Sequence, residues 1–154
     1  MSPQIDVIKQ IISENHISKE AIINEWEYFN IDHGPNEQFN PEIILSITQK
    51  IDRKTKGVYV YTYTDRDSVN LLYIGKSKDL PDRIRNHYRE RFGDTGLPRW
   101  IQFWSQHQYN MRIYYKELEF EADAHLDEAL RIIVERYLIA VLKPISESFY
   151  KSVK

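Results

Sequence analysis

The sequence predicts a small α+β fold, in which a three-stranded antiparallel sheet is flanked by helices and preceded by an added helical segment. Residues 58–64 and 71–74 are runs of β-branched and aromatic residues, a composition that favours strands. Residues 111–118 alternate in part between apolar and polar positions and are predicted as the third strand. Apolar residues at helical spacing elsewhere in the chain place helices around this sheet.

The first two strands are predicted to form a hairpin. In residues 58–64 the period of two puts three tyrosines on one face of the strand, namely Tyr59, Tyr61 and Tyr63. Residues 65–70 are polar and rich in turn formers, which indicates an antiparallel hairpin with a long loop.

A basic helix is predicted after the hairpin. Gly75 ends the second strand, Ser77 or Asp79 can cap the helix, and Pro81 in its first turn has no intrahelical hydrogen bond to lose. Three apolar residues share one stripe that faces a core, Leu80, Ile84 and Tyr88. Arg83 and His87 lie four residues apart beside that stripe.

Residues 76–91 contain six basic and three acidic residues, which predicts a helix that faces phosphates. The alternative is a solvated helix face without a partner. The basic residues of this segment are Lys76, Lys78, Arg83, Arg85, Arg89 and Arg91.

Composition limits the function classes. The 154 residues are enough for one domain with a real core, or for a compact domain with a subdomain. The chain contains no cysteine, so a metal would be held by oxygen or imidazole ligands, and oxygen ligands favour Mg²⁺ or Mn²⁺. No run of eighteen apolar residues and no signal-peptide pattern is present, so we expect a cytoplasmic protein without a membrane span.

Charge divides the chain near residue 54. Residues 1–53 have four Lys and Arg against nine Asp and Glu, whereas residues 54–154 have seventeen against fourteen. We therefore predict an N-terminal helical extension over 1–53 and the functional domain over 54–154. The acidic extension has no basic recognition helix, and we expect it to pack on the domain or to form a dimer contact.

Within the extension, helices are predicted over Pro3–Glu14, over Ser18–Asn30, and from Pro41 to about Arg53, with a loop over residues 31–39. His16 and His33 fall between the predicted helices and are interpreted as turn or surface residues, since no carboxylates suggest a metal site nearby.

Residues 99–107 predict a short helix with an aromatic face. Trp100 and Trp104 either fill the core or, together with Arg99, stack on nucleic-acid bases, and the core is the preferred interpretation. Residues 129–142 are apolar or tyrosine at eleven of fourteen positions, which predicts a helix buried on more than one side. Glu135 is costly there unless it is paired with Arg131 or bound to a metal.

The combined pattern resembles the GIY-YIG endonuclease family. GVY stands at residues 57–59 and YIG at residues 73–75, followed by Lys76, an Arg ten residues after Tyr73 and a His fourteen residues after it. The resemblance covers about 57–147 and implies one essential Glu on a downstream apolar helix, followed by Pro nine residues on. Glu135 and Pro144 match that pattern, and this shifts Glu135 from an Arg131 pair to a metal ligand.

The resemblance implies a metal-dependent DNA endonuclease. Glu135 would hold a single Mg²⁺ (or Mn²⁺), Arg83 would grip the phosphate, and Tyr59, assisted by Lys76, would orient or deprotonate the attacking water. His87 would share the base role and Tyr73 would contact phosphate or water. Lys78, Arg85, Arg89 and Arg91 are the predicted DNA contacts. Many members have Asn three residues after the Pro, where this chain has Glu147.

Two other functions remain open at this point. One is a nucleic-acid-binding protein on the same fold with weak or absent catalysis, for which Glu147 is the departure to test. The other is a helical interaction protein that acts through its acidic N-terminus. Restriction, repair, recombination and mobile-element settings all remain open, and a homodimer is expected if both strands are cut at a symmetric site.

Overall fold

A computed structural model describes residues 3–14, 17–31, 38–93, 95–107, 110–120 and 123–150. The described helices are α1 (Pro3–Glu14), α2 (Lys19–Glu25), α3 (Pro41–Lys50), α4 (Leu80–Glu90), α5 (Arg99–Gln106) and α6 (Ala124–Leu142), with a 3₁₀ helix over Ile145–Tyr150. The strands are β1 (Glu27–Ile31), β2 (Gly57–Asp65), β3 (Ser68–Ser77) and β4 (Asn110–Glu117). None of the helices in these ranges is long and apolar enough to cross a membrane.

The strands form one antiparallel sheet in the order β1-β4-β2-β3, so the α+β class is confirmed but the sheet has four strands instead of three. The additional strand, β1, comes from the segment predicted as a helix over 18–30. Ile22, Trp26 and Phe29 have helical spacing, yet the helix ends at Glu25. From Glu27 the chain pairs with β4, with Ile31 opposite Met111.

The hairpin between β2 and β3 is tighter than the predicted long loop. Asp65 pairs with Ser68, so that only Arg66 and Asp67 form the turn, and Arg66 adopts a left-handed φ of 59°. The polar residues after the turn belong to the exposed end of β3, which is an edge strand. Gly75 lies inside β3 instead of ending it.

The sheet has a core on each face. The face with the β2 tyrosines packs against α3, α4 and α5, and its buried residues include Ile47, Tyr59, Tyr61, Leu80, Ile84, Tyr88, Trp100 and Trp104. The opposite face packs against α2 and α6, with Ile22, Trp26, Val58, Val60, Ile74, Val134 and Leu138. The predicted apolar stripe of α4 and the preferred core interpretation of the two tryptophans are therefore confirmed.

Local sequence signals set the ends of several helices. Asp79 caps α4 by accepting a hydrogen bond from the Asp82 amide, and Pro81 stands in the first turn, as predicted. Asn40 caps α3, which ends at Lys50, three residues before the predicted end. Helix α6 begins at Ala124, five residues earlier than predicted, and it is buried along one stripe only, with Ile132 and Val141 exposed, so the prediction of burial on more than one side is wrong. His16, His33 and most of the predicted 31–39 loop lie outside the described residues.

The N-terminal segment is integrated into both cores. It contributes β1 to the sheet, and it contributes six side chains with 5% exposure or less, Ile17, Ile22, Trp26, Ile31, Ile47 and Ile51. Of the two expected roles of residues 1–53, packing on the rest of the chain is the one that the described contacts bear out. Residue 54 as a domain boundary stays a prediction.

A chain that begins at Lys54 is expected to lose its tertiary structure. Each large apolar side chain removed from a core costs about 1.5–3 kcal/mol of burial free energy, and six such losses match the whole stability of a typical domain, about 5–15 kcal/mol. Near-ultraviolet circular dichroism and urea unfolding of the shortened and full chains test this. A shortened chain with a native spectrum and an unchanged urea midpoint would contradict it.

Candidate active site

The candidate site forms at the free edge of β3, where Tyr59 crosses Gly75. Tyr59 of β2 pairs with Gly75 of β3. A Cβ atom built on Gly75 would lie 2.3 Å from the Tyr59 Oη and 2.4 Å from its Cζ, so only glycine leaves room for the ring. The YIG glycine therefore lets the Tyr59 hydroxyl extend across the edge strand.

The Arg83 guanidinium of α4 interacts with the Tyr59 hydroxyl, and each group shifts the pKa of the other. Burial raises the pKa of Tyr59 well above its ordinary value, Tyr73 adds to the increase, and Arg83 opposes it only in part. Burial lowers the pKa of Arg83, but the Tyr59 hydroxyl and nearby tyrosines outweigh it, so the pKa is raised and the guanidinium stays charged. In this arrangement Tyr59 is a neutral hydroxyl beside an exposed, permanent cation.

His87 lies behind this pair and is only 3% exposed. Its Nδ1 is 3.1 Å from the Tyr61 Oη, and its ring packs edge-on against Tyr59 and Trp100. Burial first, and the Arg83 charge second, lower the pKa of His87 to about 3. The imidazole is therefore neutral at physiological pH, and its low basicity favours a positioning role over that of a general base.

This burial of His87 predicts an acid-sensitive fold. An unfolded histidine binds a proton below about pH 6.5 and the folded one does so only near pH 3, so the free energy of unfolding should fall as pH decreases through that window. The slope is up to about 1.4 kcal/mol per pH unit. Urea unfolding of the wild type and of His87→Gln from pH 8 to pH 4 measures it. Parallel pH dependences in the two proteins would contradict a neutral buried imidazole.

Tyr73 is held by an aromatic stack. Its ring lies 4.1 Å from that of Trp100 at an interplanar angle of 7°, and 6.2 Å from that of Tyr59. Trp100 comes from α5, so this helix between the basic helix and β4 supports the site directly. Tyr73 is half-buried at the edge of the cluster, where a ligand could contact it.

Glu135 comes to the same edge from α6 on the other side of β3. The nearby backbone N–H of Lys76 favours the charged form of its carboxylate. Burial raises the pKa of Glu135, and the charges of Lys76 and Arg136 offset this only in part. Among the described residues its ion-pair partner is Arg136, with Nε 3.9 Å from Oε1 and a side chain that is 74% exposed. Glu135 is thus a half-buried carboxylate whose negative charge is only weakly compensated by neighbouring cations.

The alternative pairing of Glu135 with Arg131 is not formed. Arg131 is fully buried and donates to both carboxylate oxygens of Asp127, at 3.1 and 2.8 Å. It also donates to Glu128 at 3.0 Å and to the Leu118 carbonyl at 2.7 Å. Both terminal nitrogens of this arginine are therefore bonded to groups that precede it in the chain, which explains why Glu135 remains available.

Lys76 does not stand beside Tyr59 as predicted. It pairs with Val58 in the hairpin register, and successive side chains of a strand leave on opposite faces, so Lys76 is directed to the α6 face. There its ammonium bonds to Glu128. The structure groups Tyr59, Tyr73, Arg83 and His87 on one side of β3, with Lys76 and Glu135 on the other.

The predicted DNA contacts divide into exposed and buried residues. Lys78 and Arg89 are exposed, and Arg85 is half-buried with its guanidinium 2.8 Å from the Thr48 hydroxyl. Arg91 is 6% exposed and lies over the rings of Phe92 and Trp104, each at 5.2 Å. This burial argues against the predicted phosphate contact by Arg91, whose hydrophobic environment at the end of α4 was not evident from charge counting.

Oxygen ligands for a metal are sparse. Within the residues that the structure describes, no group of three or more His, Asp or Glu side chains is arranged to hold a metal ion. The single carboxylate of Glu135 is enough for a hard cation that keeps most of its water ligands. Glu147 lies in the 3₁₀ helix that packs against β3, and its amide bonds to the Pro144 carbonyl at 3.1 Å.

Sequence reasoning missed three residues that support the site, Tyr61, Trp100 as a partner of Tyr73, and Glu128. Tyr61 shares the face of Tyr59, so its contact with His87 was foreseeable from the strand period. Glu128 precedes Glu135 by seven residues, which places both on one face of a helix. That spacing was the available signal for a second acidic residue near β3.

Comparisons with known proteins identify the family and the fold of the chain. The family model described as the GIY-YIG catalytic domain matches residues 55–148. A solved structure of a mutant of EndoII from bacteriophage T4 superposes with a TM-score of 0.51 at 17% identity, over 89% of this chain and 96% of that chain, a likeness of fold. No curated protein matches the sequence. Since the family match covers more than half of the chain, this protein belongs to the GIY-YIG family and is a GIY-YIG-type nuclease.

Proposed function

We propose that this nuclease is a DNA endonuclease that hydrolyses phosphodiester bonds with the help of Mg²⁺ or Mn²⁺. The observation that carries the proposal is the meeting of three groups at the edge of β3. They are the Tyr59 hydroxyl over Gly75, the Arg83 guanidinium that interacts with it, and the Glu135 carboxylate, which approaches the edge beside Lys76 from the α6 face. A phosphodiester lying along this edge would contact all three.

Arg83 serves as the phosphate anchor. Its guanidinium is exposed, remains charged at all physiological pH values, and can donate two parallel hydrogen bonds to phosphate oxygens. As negative charge gathers on the non-bridging oxygens during attack, these bonds strengthen, which lowers the barrier.

Tyr59 orients the attacking water as a neutral hydroxyl. Its raised pKa disfavours the phenolate, so it is suited to hold water by a hydrogen bond and to pass a proton on only as the reaction proceeds. His87 and Tyr61 brace the ring from behind, and Tyr73 lines the entrance. The proton of the attacking water would pass to a non-bridging oxygen of the scissile phosphate.

Glu135 is the residue that would hold the divalent cation. Its half-buried carboxylate has a raised pKa, the condition in which binding a cation relieves an uncompensated charge. When bound, the metal ion supplies charge stabilisation for the leaving 3′ oxygen. A single protein carboxylate leaves the other coordination positions to water and phosphate, as Mg²⁺ prefers.

The DNA path proposed here follows the outer surface of α4. Lys78 and Arg89 are exposed, and Arg85 is half-buried at the contact with α3. Cationic residues along a helix of this kind contact phosphates and make binding dependent on salt. A dimer remains a prediction for the case of a symmetric double-strand cut.

Cleavage of end-labelled DNA duplexes tests the function. The protein is incubated with Mg²⁺, with Mn²⁺ and with EDTA, and the product ends are identified. Discrete products with 5′-phosphate and 3′-hydroxyl ends in either metal, and none in EDTA, are expected. Equal cleavage in EDTA would refute the metal dependence.

A second candidate is a DNA-binding protein with little catalysis. The observation that favours it is Glu147, which stands where many family members have Asn, on the 3₁₀ helix against β3. DNA binding in EDTA without cleavage in any metal would support this candidate. Recovery of cleavage in Glu147→Asn would then identify the cause.

A further inference from the structure

Lys76 lies between two carboxylates of α6. Glu128 and Glu135 are seven residues apart and therefore on one face of that helix. The Lys76 backbone N–H and its charge both act on the Glu135 carboxylate, while its ammonium bonds to Glu128. The side chain of Lys76 is 28% exposed, that of Glu128 18% and that of Glu135 16%. The ammonium thus has two half-buried acidic neighbours and pairs with the one at 128.

Glu128 is fixed in place by Arg131. The Nη2 atom of this fully buried arginine donates to Glu128 Oε2 at 3.0 Å and to Asp127 Oδ2 at 2.8 Å. Asp127 in turn accepts from the Phe120 amide at 2.7 Å. Because these bonds hold the Glu128 carboxylate before Lys76 meets it, little side-chain entropy is lost when the ion pair forms.

Glu135 has no comparable anchor among the described residues. Arg136 is 3.9 Å away and largely exposed, which makes this pair weak. The charge of Lys76 acts on Glu135 even though its ammonium bonds elsewhere. A rotation of the Lys76 side chain would therefore give Glu135 a full ion pair.

We infer that Glu128 is a positioning residue of the metal site, because it holds the Lys76 ammonium away from Glu135 and keeps the Glu135 carboxylate available to a divalent cation. The inference rests on the proposed function in taking Glu135 as the metal ligand. Without Glu128, the Lys76 ammonium competes with the cation for Glu135. The loss of cation affinity in a variant without Glu128 therefore depends on Lys76. Removing Lys76 as well abolishes that loss.

A double-mutant cycle on Mn²⁺ binding tests this. The wild type, Glu128→Gln, Lys76→Met and the double variant are titrated with Mn²⁺, and free Mn²⁺ is measured by electron paramagnetic resonance. We expect Glu128→Gln to weaken binding about tenfold in the wild-type background and less than about twofold in the Lys76→Met background. Glu119→Gln, an exposed partner of Lys56, is the matched control and should bind as the wild type does.

Two results would overturn the inference. Equal losses in both backgrounds would mean that Glu128 acts on the cation by its own charge, and undetectable Mn²⁺ binding by the wild type would remove the site itself. Plasmid nicking by the wild type separates the two proposals. If the wild type nicks plasmid but the effects of the two substitutions on Mn²⁺ binding are additive, only the positioning role of Glu128 is refuted. If the effects are non-additive but the wild type nicks no DNA, only the proposed DNA cleavage is refuted.

Discussion

Replacing Glu135 by glutamine is expected to lower the rate of DNA cleavage by roughly 10³-fold or more at saturating metal. The amide keeps the size of the side chain, but it carries no charge for a cation. Since burial already raises the pKa of Glu135, loss of the carboxylate should not destabilise the fold. Single-turnover cleavage and thermal unfolding are measured on the same preparation.

The control for that variant is Glu119→Gln, which removes an exposed carboxylate 56% accessible to solvent. It should cleave at the wild-type rate. If Glu135→Gln retained more than about a tenth of wild-type activity, Glu135 would not be the essential carboxylate. A large loss of melting temperature in Glu135→Gln would instead assign it a structural role.

Replacing Arg83 by alanine is expected to lower cleavage by roughly 10²–10³-fold, the usual effect of removing one group that stabilises developing charge. Lysine at the same position should restore only part of the rate, because an ammonium cannot form the two parallel bonds of the guanidinium. The Tyr59 hydroxyl also loses its partner, so alanine removes both a phosphate contact and the orientation of the tyrosine.

The readout for Arg83 separates binding from chemistry. DNA affinity in EDTA and the single-turnover rate in Mg²⁺ are measured for Arg83→Ala, Arg83→Lys and the charge-matched control Arg53→Ala, an exposed arginine before β2. The account requires that the rate fall far more than the affinity. Equal falls in the two quantities would mean that Arg83 only attracts DNA.

Several parts of the fold followed directly from the sequence because local and tertiary preferences agree there. The alternating tyrosines of β2, the cap and apolar stripe of α4, and the apolar α6 are each specified by short-range pattern. The proximity of Tyr59, Tyr73, Arg83 and His87 follows from the same patterns, since a strand face and a helix face that share a core must meet.

The remainder depends on contacts distant in sequence. Strand β1 was predicted as a helix because Ile22, Trp26 and Phe29 have helical spacing. Only the pairing with β4 decides between a helix and a strand for this segment. The partner of Lys76 depends on which face of β3 it occupies and on an acidic residue fifty-two positions later. The low pKa of His87 arises from burial among four aromatic rings, which no local pattern reveals.

The most direct test of the account is the conversion of supercoiled plasmid in Mg²⁺ by the wild type and by Glu135→Gln, purified in parallel, with EDTA as the blank. The account predicts nicked or linear plasmid with the wild type, and intact plasmid with the variant and in EDTA. Intact plasmid with a well-folded wild type, or equal conversion by both proteins, would contradict the claim that the edge of β3 is a metal-dependent DNA-cleaving site.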